Sequence, residues 1–111
     1  MILTEGLRGD AALEPSMSDE TYSDSEVERH VEELEGWSYD GERIRRSYDF
    51  DSYLAGVDFV VEVADLAEKA NHHPDVHVGY KEVEVSLKSH DVDGITDRDF
   101  DLAEEIEALP R

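Results

Sequence analysis

SYLAGVDFVVEVADLAEKANHHP, residues 52–74, is the stretch from which the fold can be worked out. From Ser52 to Ala70 it has the pattern of one long helix. Asp58, Glu62, Asp65 and Lys69 recur at spacings of four, three and four and form a narrow polar stripe. Nearly everything else is apolar: Tyr53, Leu54, Val57, Phe59, Val60, Val61, Val63, Ala64, Leu66 and Ala67. A helix laid on one sheet face buries only about a third of its circumference, so this arc is too wide for a single packed layer. The excess predicts a second contact, most simply another copy of the chain. Pro74 stops any helical continuation, and the residue before it is biased toward extended backbone.

Shorter elements flank this helix. Upstream, Ser23 with Glu26 three residues on can form a capping box opening a helix through about Leu34, with Gly36 as its stop. Trp37-Ser38-Tyr39 and Arg43 to Phe50 then flank Asp40-Gly41, a two-residue hairpin signal. Ile44, Tyr48 and Phe50 share the parity of an inward face, and so does Arg46, for which the pattern offers no reason. Downstream, Val76, Val78 and Tyr80 alternate, and Gly79 permits a tight turn or bulge. Val83, Val85 and Leu87 alternate with Glu82, Glu84 and Ser86 as in a half-buried strand. Thr96 with Asp99 can cap a last helix to about Leu109, its inner stripe being Phe100, Ala103, Ile106 and Leu109. The order helix, two strands, helix, two strands, helix predicts an α+β domain: a four-stranded antiparallel sheet with three helices packed on one face. Residues 1–22 show no sustained period and contain Gly6, Gly9 and Pro15. They are expected to be a mobile tail ahead of a single domain over 23–111. Met17 offers an alternative start that would leave residues 1–16 outside the native protein.

At 111 residues one domain with a modest core is the expectation. The absence of cysteine excludes disulfides, thiolate metal sites and cysteine nucleophiles together. No apolar run approaches the roughly 20 residues that cross a bilayer, and the N-terminus lacks a signal-peptide layout. A soluble cytoplasmic protein without a membrane partner is therefore expected. Thirty Asp and Glu face ten Lys and Arg, a net charge of −20. Such a field repels nucleic acid, so no nucleic-acid partner is expected. It also opposes compaction at low ionic strength. At 1 M salt the Debye length falls to about 3 Å, which would screen the repulsion. The acidic, lysine-poor composition resembles that of proteins from salt-loving microbes.

Chemistry concentrates in Glu68, His72, His73 and His90. Histidine is the side chain that titrates nearest neutrality, so a cluster is a natural proton-handling site. Glu68 lies four residues after Ala64, seven after Val61 and eleven after Val57, on the apolar face. Desolvation and the negative helix end are both expected to raise its pKa there. His72 and His73 are adjacent and should point to opposite sides of an extended segment. Pro74 argues against a helical pairing of His73 with His77. Zinc held by His72, His73, His90 and a carboxylate is the alternative; the reading preferred needs no metal and no cofactor. His90 has the parity of Glu82, Glu84 and Ser86, which places it at a rim suited to a small substrate. His30 and His77 are read as ordinary surface or strand residues.

Taken together, Glu68-x3-His72-His73-Pro74-x5-Tyr80-x9-His90-x8-Asp99 closely resembles the signature of pterin-4a-carbinolamine dehydratases, with every motif position filled. That family removes water from a 4a-hydroxytetrahydropterin, giving a quinonoid dihydropterin in pterin recycling. Expelling hydroxide near neutrality is poor, so an acid must protonate the leaving oxygen while a base takes the N5 proton. Two groups titrating at about pH 7 meet that demand. The resemblance implies His72 and His90 as acid and base in an order it leaves open. It gives His73 a positioning or auxiliary role and makes Glu68 the acid that orients the site. It further implies substrate-binding roles for Trp37, Asn71, Ser89, Asp91, Arg98 and Asp99, although simple core packing is an equal reading of Trp37. Asn71 stands where an aspartate is frequent, and Val76 where an aromatic is common. A homodimer or homotetramer built through the long helix is also implied. The alternative function is a non-catalytic dimerisation module, since animal members serve a homeodomain transcription factor, or a molybdopterin-related accessory protein.

Overall fold

The computed structural model describes residues 20–111. The expected tail therefore lies outside the described residues except for its last three positions. The elements are α1 (Asp24–Glu32), β1 (Ser38–Tyr39), β2 (Ile44–Asp49), α2 (Tyr53–Ala70), β3 (Asp75–Val78), β4 (Glu82–Leu87) and α3 (Asp97–Glu107). The strands form one antiparallel sheet in the order β1-β2-β4-β3. This is the α+β architecture expected. Helix α2 carries the chain from the middle of the sheet to its far edge, and β4 returns between β2 and β3.

Register explains the core. Ile44 pairs with Leu87 and Tyr48 with Val83 across β2 and β4, while Val76 and Val78 of β3 pair with Val85 and Val83. These side chains meet Val27 and Val31 of α1, Phe59 and Val63 of α2, and Phe100, Leu102, Ala103 and Ile106 of α3. Leu102 joins the predicted stripe from beside it. The opposite sheet face is polar: Arg45 pairs with Asp40 at 2.5 Å and Glu84 at 3.4 Å, and Arg43 reaches Asp75.

Helix starts follow the sequence closely. Ser23 Oγ accepts from Glu26 N–H at 3.3 Å while Ser23 N–H donates to Glu26 Oε1 at 2.9 Å, the reciprocal capping box of α1. Helix α1 ends at Glu32, just short of the predicted Leu34. Ser52 Oγ caps α2, accepting from Ala55 N–H at 3.1 Å.

Two local expectations are corrected and one misfit is explained. The turn between β1 and β2 centres on Gly41-Glu42, not Asp40-Gly41: Asp40 N–H donates to Arg43 O at 3.2 Å, and Gly41 has φ +98°. Asp40 organises the turn from outside, its Oδ1 accepting from the N–H groups of Glu42 and Arg43 at 2.8 Å each. Tyr80 does not continue β3. Gly79 N–H donates to Glu82 O at 2.7 Å, and Tyr80 stands exposed at the hairpin tip. Arg46, the inward-parity misfit, lays its guanidinium over the Tyr48 ring at 4.7 Å and beside Glu107 at 3.6 Å. It fills the space that a Cβ on Gly36, at φ +89°, would occupy.

Helix α2 buries Gly56, Phe59, Val63 and Ala67 against the sheet. Leu54 and Val61 remain 70% and 62% exposed, so the predicted excess of apolar surface is present. Among the described residues no helix is long and apolar enough to cross a membrane.

Candidate active site

The site begins where α2 ends. Asn71 adopts the left-handed conformation (φ 52°, ψ 42°) that closes a helix, and its N–H donates to Glu68 O at 3.2 Å. Asparagine tolerates this geometry better than most side chains. His72 N–H reaches back to Ala67 O at 3.0 Å, and the next two side chains leave on opposite sides, as adjacency predicts. The His72 ring, 8% exposed, turns inward and meets Asp99 Oδ1 through Nε2 at 2.6 Å. The His73 ring turns outward to Glu68 Oε2, also through Nε2, at 2.5 Å.

Asp99 is fully buried in the first turn of α3. Its Oδ2 accepts from Ser89 Oγ at 2.8 Å and from Thr96 N–H at 2.9 Å, the second bond being half of the capping box of α3. Ser89 also bridges Gly94, donating its N–H to Gly94 O at 2.8 Å and accepting from Gly94 N–H at 3.2 Å. The closed loop 90–93 carries His90 exposed at its start. Lys88 grips Asp93 at 2.6 Å on one side, and Arg98 grips Asp91 at 2.9 Å on the other. The Arg98 bond holds the Asp91 carboxyl below its usual range. The bond to Lys88 does the same for Asp93.

Contacts and chain adjacency thus gather nine of the ten predicted site residues: Glu68, Asn71, His72, His73, Ser89, His90, Asp91, Arg98 and Asp99. Trp37 stands apart. Its indole is buried and donates to Glu107 Oε1 at 3.0 Å, near the other end of α3. The eight-residue step from Asp99 to Glu107 spans roughly 12 Å of helix. Its place is therefore in the core, with Tyr48, whose hydroxyl also donates to Glu107 Oε1 at 2.7 Å. Glu68 departs from expectation differently. Its side chain is 75% exposed instead of desolvated, because the line Leu54, Val57, Val61, Ala64, Glu68 is the face of α2 that the sheet leaves uncovered. Ser89, expected at the substrate, has its side chain sealed inside. Thr96 was legible as a helix cap but not as a member of this cluster; its spacing to Asp99 was the available signal. Between α2 and β3 lies a hollow of about 150 Å³ walled by Val60, Val63, Ala67 and Val76, with Glu68 and His73 at its edge.

Two carboxylate–imidazole pairs, one sealed and one open, and a third imidazole on a braced loop are groups whose chemistry can include proton transfer. Comparison with known proteins shows the family. The family model described as Pterin 4 alpha carbinolamine dehydratase matches residues 20–109, and the chain belongs to this family. A relative from Roseiflexus sp. (strain RS-1) is 42% identical over 87 residues, which cover 78% of this chain and 94% of that one. One from Natronomonas pharaonis is 49% identical over 73 residues, 66% of this chain and 79% of its own. Both carry the family's dehydratase name provisionally. The crystal structure of a transcriptional coactivator/pterin dehydratase from Brucella melitensis superposes with a TM-score of 0.75 at 33% identity, covering 80% of this chain and 97% of the other.

Proposed function

We propose that this protein dehydrates a 4a-hydroxytetrahydropterin, 4a-hydroxytetrahydrobiopterin by the nearest chemistry, to the quinonoid dihydropterin and water. The observation that carries the reading is the buried His72–Asp99 pair, linked through Ser89 to the loop bearing His90, in a chain of this family. One imidazole protonates the 4a-hydroxyl as the C4a–O bond breaks, and another takes the N5 proton, so the protein ends with as many protons as it began. His72 and His90 fill these two roles. His73, steadied by Glu68, is the auxiliary proton carrier, and Arg98–Asp91 forms the polar rim.

The deciding experiment is a dehydration assay with synthetic 4a-hydroxytetrahydropterin in molar salt. His72→Ala and His90→Ala should each lose most activity while keeping the wild-type circular dichroism spectrum. Wild-type rates in both variants would overturn the assignment.

We also propose that the exposed line on α2 is covered by a second copy of the chain, giving a homodimer or homotetramer. Leu54, Val57, Val61 and Ala64 repeat at three, four and three residues, the spacing of a helix–helix seam. That cover would remove water from Glu68 as well. A non-catalytic interaction module is the second reading, favoured by the same exposed seam, and an inactive but assembled wild type would select it.

A further inference from the structure

The hydrogens around Asp99 can be assigned by elimination. A carboxylate only accepts, so Thr96 N–H and the Ser89 hydroxyl both donate to Oδ2, at 2.9 and 2.8 Å. Having given its one proton to Asp99, Ser89 Oγ can only accept from the Thr96 hydroxyl at 2.9 Å. Thr96 Oγ1 in turn accepts from Arg98 N–H at 3.2 Å. Every hydrogen in this sealed chain points toward Asp99. With Oδ2 held by two donors, Oδ1 is the oxygen that faces His72 at 2.6 Å, and an ionised Asp99 takes the hydrogen of that bond from Nε2. Nδ1 has no protein partner among the described residues.

We infer that Ser89 and Asp99 are positioning residues instead of substrate contacts. They fix His72 as the Nε2–H tautomer, leaving Nδ1 as the only atom through which that ring exchanges a proton with substrate. The backbone bridge between Ser89 and Gly94 separately closes the loop that carries His90. The identity of the substrate rests on the dehydratase reading above; the tautomer is a property of the free protein and is measured without it.

Long-range ¹H–¹⁵N spectra of the histidine rings test this. The wild type should show His72 with the hydrogen on Nε2. In Asp99→Asn the Ser89 and Thr96 donors claim the amide oxygen, which turns the NH₂ toward His72. Nε2 must then accept, and the hydrogen moves to Nδ1. The same variant should lose on the order of 10²-fold or more in kcat with KM little changed. A wild-type ring protonated at Nδ1, or an unchanged tautomer in Asp99→Asn, overturns the inference. Should Asp99→Asn fail to fold, Ser89→Ala replaces it: the His72 Nε2 proton should exchange with water faster than in the wild type, and equal exchange sinks the idea. A tautomer that inverts in a protein unable to dehydrate the pterin would support the positioning and refute the dehydratase reading. Active protein without inversion would do the reverse.

Discussion

Asp40 accepts from the backbone N–H groups of Arg43 and Glu42 and from the Arg45 guanidinium, which together hold its carboxyl down at about 2. A carboxyl depressed by folding stabilises the fold above its unfolded value of 3.8, and that contribution is lost as pH falls through about 2. Asp40→Asn should therefore melt below wild type at neutral pH, with the gap closing between about pH 4 and pH 2. A gap of constant size across a pH series would contradict this. The effect should be modest, because the pair with Arg45 is partly exposed and screened. Gly36→Ala should cost more. A Cβ there meets a left-handed backbone, a penalty of roughly 1–2 kcal/mol, and pushes Arg46 off Tyr48 and Glu107. Urea unfolding would measure the loss. Both residues show what short-range reading can and cannot do. The Asp-Gly pair signals the turn, but the turn centres one residue later because the Asp40 side chain, not its backbone conformation, makes it. Arg46 was unreadable because its partners Tyr48 and Glu107 meet only in the folded chain.

At the level of elements, the capping boxes of α1 and α3 and the polar stripe of α2 were legible because each is decided within a few residues. Strand alternation likewise marks Val83, Val85 and Leu87 as inward without reference to their pairing partners. Exposure was not legible. Glu68 lies on the apolar side of α2, yet that side is divided between a buried line through Phe59 and Val63 and an open line through Leu54 and Val61. Only the position of the sheet separates the two. The open line makes α2 the element to test for assembly. Leu54→Glu combined with Val61→Glu should reduce the mass seen by light scattering to that of a single chain, with helix content retained. An unchanged mass would remove the seam from consideration as the interface. Trp37 illustrates the converse: an indole next to a turn was compatible with ring stacking, and the bond to Glu107 decided for the core.

Across the whole molecule, charge dominates. Arg43, Arg45, Arg46, Lys69, Lys88, Arg98 and Arg111 each pair with a carboxylate, yet the chain still carries −20. Adding KCl from low to molar concentration should raise the melting temperature as the Debye length contracts to about 3 Å. A melting temperature flat over that range would contradict the screening argument. Asp99 ties this global stability to the chemistry. One carboxylate both closes the first turn of α3 and grips the His72 ring, so fraying of that turn would disarm the protein while the sheet is still intact. On warming, the proposed dehydration should fall away several degrees before the circular dichroism of the bulk structure does, and cooling should restore it without any refolding of the strands.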